Sequence, residues 1–233
     1  MKQTAVLRAF LHHATGTITH LVADPATGCA AIIDSVLDLD PYSGAISTAS
    51  ADRLLAQVRA EGWQIDWHLE THAHAEHLSA AAYLQQRLGG QVAAGAGLCE
   101  LADPALALLL DDAGARQPEH QIGSLTFHHL FADGDVFAIG ALRAEVLRTP
   151  GHTPACVSYR VGSDVFVGDL LLTGGGALHG DARRQQDSLR RVLDLPPRTR
   201  LHPGHADAVT GRIWQRSVAA QRTLRGVLRS DPG

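Results

Sequence analysis

Thr71-His72-Ala73-His74-Ala75-Glu76-His77-Leu78-Ser79 packs three histidines and a carboxylate into six consecutive positions. Imidazole nitrogen and carboxylate oxygen are the donors that zinc, iron and manganese accept. The small Ala73 and Ala75 leave room for a tight loop in which His72 and His74 point the same way. Upstream, Gln64–Glu70 reads as a strand; downstream, Leu78–Leu88 has helical spacing and stops at Gly89-Gly90. A ligand loop at a strand-to-helix junction sits where open sheets place their sites. One histidine there would be most simply a solvated side chain. Four ligand-type residues this close point to a metal.

The rest of the composition narrows the alternatives. A chain of 233 residues suits one domain, 1–233, with a large core. A formal net charge of −4 gives no support to nucleic acid or an acidic membrane as partner. No apolar run reaches the length of a membrane span, and Met1–Phe10 lacks the apolar core of a secretion signal. Cys29, Cys99 and Cys156 are odd in number and far apart, as expected of reduced thiols in a cytoplasmic protein. The late arginines, Arg183, Arg184, Arg190, Arg191, Arg198 and Arg200, read as solvated helix faces.

Along the chain, Ala5–Leu11, Thr17–Ala23 and Cys29–Asp34 are β-rich and would open a first sheet, followed by a loop over Asp38–Gly44. A helix begins near Ser47–Ser50, buries Leu54, Leu55 and Val58, and ends at Gly62. After the ligand loop come a short strand at Gln91–Ala94, a helix over Gly97–Leu110 and a polar loop over Asp111–Gly123. Ser124–Phe131 and Asp135–Ile139 flank a turn and read as a hairpin. Leu142–Thr149 is a strand that runs into Pro150-Gly151-His152. Cys156–Val161 and Asp164–Val167 pair about Gly162-Ser163, and the second ends in Gly168-Asp169. Asp187–Leu193 reads as a helix and Arg198–Leu201 as a strand that runs into His202-Pro203-Gly204-His205. Gly211–Arg229 reads as a closing helix with Trp214 on its apolar stripe. The recurrence of strand, ligand loop and helix in both halves predicts an α/β fold, a four-layer αββα sandwich.

Four strand-end loops thus offer ligands in a fixed order: His72/His74/Glu76/His77, His152, Asp169 and His205. That order resembles the metallo-β-lactamase superfamily, with its His-x-His-x-Asp-His loop followed by separate His, Asp and His ligands. Further stretches resemble one branch of it, the persulfide dioxygenases and β-lactamase-like hydrolases close to glyoxalase II. They are Asp24–Gly28, Ser47–Leu54, Glu70–Ala81, Leu130–Asp135 and Thr149–Tyr159. The resemblance implies that His72, His74, His152 and Asp169 surround a first metal position. Glu76, His77 and His205, with Asp169 bridging, surround a second. The chain departs from the family pattern at Glu76, where aspartate is usual, in the shortened loop after Asp169, and after His205, where an aromatic is usual.

The resemblance leaves two chemistries and one alternative outside enzymology. A persulfide dioxygenase needs one iron(II) per chain. By resemblance His72, His152 and Asp169 would be its ligands and the catalytic set, with the other four groups around them. Its partners would be a small-molecule thiol or persulfide of the glutathione type and O2, giving sulfite and thiol. A glyoxalase II-like thioester hydrolase needs two zinc ions, and Glu76 as a direct ligand. The extra methylene of Glu76 shifts its carboxylate by roughly 1.5 Å, against a ligand-bond tolerance of ~0.2 Å, which favours the one-metal reading. A low-turnover metal- or thiol-binding protein is the third reading. Assembly as a homodimer is left open.

Overall fold

A computed structural model gives the structure of the chain, and it describes residues 4–40, 42–72, 78–97, 120–122, 125–171, 181–207 and 209–229. The strands β1 (Val6–Leu11), β2 (Ile18–Asp24), β3 (Cys29–Ile33), β6 (Gln64–Leu69), β8 (Gln91–Gly95) and β11 (His129–Phe131) form one sheet, in that order. β1–β2–β3 run antiparallel, and β3–β6–β8–β11 run parallel. The second sheet is β12 (Val136–Ile139), β13 (Leu142–Arg148), β14 (Val157–Val161), β15 (Asp164–Gly168), β16 (Arg200–Pro203) and β17 (Arg216–Ser217), again in chain order. Only its β15–β16 pair is parallel. A small third sheet joins β5 (Ile46–Ser47), β4 (Val36–Leu39) and β7 (Leu78–Ser79), and β9 (His120–Ile122) pairs with β10 (Leu125–Phe127).

Period-two alternation sorts the strand residues into layers. Val22, Ala31, Ile33 and Leu69 of the first sheet face Ile139, Val146, Tyr159 and Phe166 of the second, in the central core. Their neighbours Leu21, Ala23, Ala30 and Ile32 face the other way, against Leu54, Leu55 and Val58 of α1 (Ala49–Glu61) and Leu84 of α2 (Ala81–Leu88). On the far side, Val165 and Val167 meet Leu189 and Val192 of α3 (Ala182–Leu193) and Val218 at the start of α4 (Val218–Arg229). Both faces of the central strands are covered: β2 is buried over all seven residues, its polar Thr19, His20 and Asp24 included, and β3 is apolar throughout. The layering is the αββα sandwich that the sequence predicts.

Several boundaries differ from expectation. The turn at 132–135 forms, but the strands on either side belong to different sheets, because β11 pairs with β8 and β12 with β13. This segment is the crossing between sheets, and local turn chemistry cannot distinguish a crossing from a hairpin. The expected helix at Leu78 starts only at Ala81, since Leu78 and Ser79 pair with Leu37 and Val36. α3 begins earlier than expected because Asp181 caps it, its carboxylate accepting from the backbone N–H groups of Arg183 and Arg184. The closing helix begins at Val218; Trp214 precedes it, and Arg216 and Ser217 are drawn into β17. His120–Ile122 is strand within the expected polar loop. The helix expected over Gly97–Leu110 lies almost wholly outside the described residues, as does Cys99. No helix among the described residues is long and apolar enough to cross a membrane.

Two buried histidines make this packing acid-sensitive. His20 packs tilted against Phe166 and edge-on to His202 and makes a 2.9 Å hydrogen bond to the Pro203 carbonyl; His68 makes one to the Gly89 carbonyl at 2.9 Å. Burial above all lowers the pKa of each from 6.5 to about 4, against the opposing pull of the carbonyl. The unfolded chain then binds more protons than the folded one between about pH 4 and 6.5. Stability is therefore full above that window and falls as pH drops through it, by roughly 3 kcal/mol for each histidine at 1.36 kcal/mol per pKa unit. Urea unfolding of the metal-free protein should show its midpoint falling from pH 7 to pH 4. His20→Asn should remove about half of that dependence; an unchanged slope in this variant would contradict the assignment.

Candidate metal centre

The site forms where four strand ends meet. His72 lies just past β6, His152 past β13, Asp169 directly after β15 and His205 just past β16. The Nε2 atoms of His72 and His152 stand 3.4 and 3.5 Å from Asp169 Oδ2. Their rings meet edge to face, with centroids 4.9 Å apart at 88°. One donor atom from each of the three residues falls within 4.8 Å of the other two. His72 and Asp169 are buried, at 2% and 3% exposure, while His152 is partly open to solvent.

A chain of hydrogen bonds decides which nitrogen His72 offers. The Asp34 carboxylate accepts the Thr71 backbone N–H at 2.7 Å and its hydroxyl at 2.8 Å. With its proton given to Asp34, Thr71 Oγ1 accepts from His72 Nδ1, 2.9 Å away. The lone pair of His72 is therefore on Nε2, the atom that faces Asp169 and His152. Asp34 takes up this position with φ of 54°, a left-handed backbone that aspartate tolerates better than most side chains. Asp34 and Thr71 were not among the expected site residues. The clue available in the sequence was an aspartate ending an otherwise apolar strand.

His152 is held from the helix side. Ser188 of α3 donates to the Pro150 carbonyl at 2.6 Å, and the Asp181 N–H donates to the Gly151 carbonyl at 2.8 Å. Behind it, Cys156 Sγ accepts from the Thr153 N–H at 3.2 Å, a packing role for this thiol. Tyr159 is fully buried and donates to the Glu70 carbonyl at 2.8 Å. Arg183 and Arg184 are exposed on α3. His202 pairs with the Asp164 carboxylate at 2.7 Å, away from the metal centre.

His205 stands beside this group: its Nδ1 is 2.7 Å from Asp169 Oδ1, the carboxylate oxygen turned away from His72 and His152. Burial would raise the Asp169 pKa, but the hydrogen bond from His205 and the imidazoles beside the carboxylate hold it well below the usual carboxylate range. His74, Glu76 and His77 lie outside the described residues. Two imidazole nitrogens and one carboxylate oxygen converging in a buried pocket fit a divalent transition metal by donor type and number. They are two histidines and one carboxylate, the set that leaves coordination positions open.

The family model of the metallo-beta-lactamase superfamily matches residues 18–205. The chain is 42% identical over 235 residues to a protein of Burkholderia pseudomallei named probable metallo-hydrolase, covering 94% of this chain and 78% of that one. It is 38% identical to a beta-lactamase hydrolase-like protein of Xylella fastidiosa, covering 94% of this chain and 52% of that one, about half the relative's length. The crystal structure of ETHE1 from Myxococcus xanthus is similar at a TM-score of 0.69 and 28% identity, covering 93% of this chain and 81% of that one.

If the Asp34–Thr71 chain orients His72, then Thr71→Val should weaken zinc binding by roughly 10–100-fold while Thr71→Ser keeps it. Asp34→Asn should fall with Thr71→Val, because the two Thr71 protons go to different oxygens of Asp34 and a carboxamide keeps only one of them. Chelator competition on folded variants measures this, and equal affinity in Thr71→Val and the parent would remove the role.

Proposed function

The chain belongs to the metallo-beta-lactamase superfamily, and from that premise we propose that it is a one-iron persulfide dioxygenase. The observation that carries the reading is the grouping itself: His72, His152 and Asp169 converge, while His205 turns its Nδ1 to the far oxygen of Asp169. A two-metal hydrolase would use His205 as a direct ligand of the second ion. In the one-iron reading it orients the carboxylate instead. The similarity to ETHE1 at 28% identity supports the same branch.

In this reading His72 Nε2, His152 Nε2 and Asp169 Oδ2 would hold iron(II), which supplies the electron transfer that zinc does not have. One persulfide, one O2 and one water give one thiol, sulfite and two protons. Asp169 stays ionised throughout, held so by His205, and contributes negative charge to the site without taking up a proton. Burial of His72 and Asp169 excludes water from one side of the group. The partial exposure of His152 leaves the substrate its approach from the other. The substrate class is a low-molecular-weight persulfide of the glutathione type.

The second reading, a thioester hydrolase with two zinc ions, is favoured by the hydrolase names of the relatives at 42% and 38% identity. Metal content and reaction separate the two. Protein purified without added metal and then loaded with iron(II) should hold one iron per chain, consume O2 with glutathione persulfide and release sulfite; zinc-loaded protein should not. Two metals per chain with cleavage of S-lactoylglutathione, and no O2 uptake with any persulfide, would replace the dioxygenase by the hydrolase.

A further inference from the structure

Behind His205 the contacts continue away from the metal centre. The turn between β1 and β2 lies along the end of β16: the Ile18 N–H donates to the Gly204 carbonyl at 2.7 Å and the Ala206 N–H to the Gly16 carbonyl at 2.8 Å. Thr17 and His205 form a bridge between the two segments. Their side chains meet as well, with Thr17 Oγ1 3.4 Å from His205 Nε2. Thr17 Oγ1 is 2.7 Å from Thr15 Oγ1, and Thr15 Oγ1 is 2.7 Å from His12 Nδ1. His12 Nε2 stands 3.2 Å from Asp38 Oδ1. The Asp38 carboxylate is fixed in turn by the Ser50 N–H at 2.8 Å and its hydroxyl at 2.6 Å, at the start of α1.

We infer that His12 and Asp38 are positioning residues for the metal centre, acting through Thr15 and Thr17 on the ring of His205. The inference deepens the one-metal reading and rests on it for its purpose, since there His205 serves the metal by orienting Asp169.

The argument is one of donor order. A carboxylate oxygen accepts, so His205 Nδ1, 2.7 Å from Asp169 Oδ1, is the donor in that contact. His205 Nε2 is then an acceptor, and the Thr17 hydroxyl is the donor that faces it. Thr17 Oγ1, its proton given towards His205, accepts from the Thr15 hydroxyl. Thr15 Oγ1 also accepts the Thr17 backbone N–H at 3.3 Å and lies 2.7 Å from His12 Nδ1. His12 is fixed in turn from its other side by Asp38, whose carboxylate lies 3.2 Å from Nε2. The sequence of contacts holds the His205 ring against the half-turn that would exchange Nδ1 for carbon at Asp169. His12 and Thr17 are buried, at 7% and 0% exposure, so water competes little for these bonds. The far end is less enclosed: His12 also lines a cavity of about 270 Å³ between β1, β2, β4 and α1, with Phe10, Leu54 and Arg53 around it.

The test uses the metal-free full chain and reads His205 directly. Long-range proton–nitrogen NMR should find the His205 proton on Nδ1. Thr17→Val should shift the His205 ring-nitrogen signals towards a tautomer mixture and weaken zinc binding roughly tenfold. Thr17→Ser, which keeps the hydroxyl, should restore both. Asp38→Asn and Thr15→Val, further from the site, should move the same signals with circular dichroism unchanged. They carry the test if Thr17→Val does not fold. Unmoved His205 signals in the folded Thr15→Val and Asp38→Asn proteins would overturn the inference. The metal count of the parent protein is read separately: two ions per chain would sink the one-iron function, while the metal-free NMR result still judges whether the chain of contacts sets the His205 ring.

Discussion

A carboxylate buried as deeply as that of Asp169 can stay ionised only if donors surround it, and this requirement organises the site. His205 approaches one oxygen, and His72 and His152 approach the other. The three histidines come from three separate strand ends, so the two sheets must deliver those ends to one depth. The parallel pairing of β15 with β16 shifts register between Phe166 and Gly168, just before Asp169. Such irregularities re-aim side chains near functional sites. Here the shift falls where the ligand-bearing ends of these two strands diverge from regular pairing.

Holding two sheets in that relation is the work of the central core. Phe131 and Phe137 stack with centroids 4.7 Å apart, and Trp67 packs on both. Phe131 belongs to the first sheet and Phe137 to the second, so this aromatic cluster spans the layers close to the chain crossing at 132–135. Polar links across the interface are specific. Trp67 Nε1 donates to the Ala138 carbonyl at 2.8 Å, and the Tyr159 hydroxyl donates to the Glu70 carbonyl, two residues before His72. The second of these ties the ligand strand of one sheet to the core of the other. A change at Tyr159 would be felt at His72 without any contact to it.

The ligand loops and the fold class could be read from the sequence because each has a local signature. Histidines cluster, strands end in Pro-Gly-His or Gly-Asp, and the buried strands are rich in apolar residues. What could not be read depends on partners distant in sequence. Asp34 meets Thr71 across 37 positions, and Thr17 meets His205 across 188. Neither pairing leaves a trace in spacing. Leu78 and Ser79 have helical spacing with the residues after them, yet pairing with Leu37 and Val36 makes them strand. Arg216 and Ser217 have the same fate in β17, where they pair with Leu201 and Arg200. In each case a tertiary hydrogen-bond partner overrides a local preference worth only a few tenths of a kcal/mol per residue.

The three ligand motifs of the second half share a feature that the sequence displays and only the structure explains. His152, Asp169 and His205 each follow a glycine. A Cβ on Gly151 would come within 2.3 Å of the Gln185 backbone in α3. On Gly168 it would meet Thr71 Oγ1 at 2.5 Å, the atom that sets the His72 tautomer. On Gly204 it would meet Asp169 Oδ1 at 2.7 Å. The obstructing group therefore differs each time: a helix, the bond network of another ligand, and a ligand itself. At Gly168 and Gly204 the methyl group would occupy space that the site uses, so even a substitution that the rest of the fold absorbed would displace the group that orients His72 or the carboxylate oxygen held by His205. In these three motifs the space one residue before the converging side chain is already taken, and this is why the glycine recurs there.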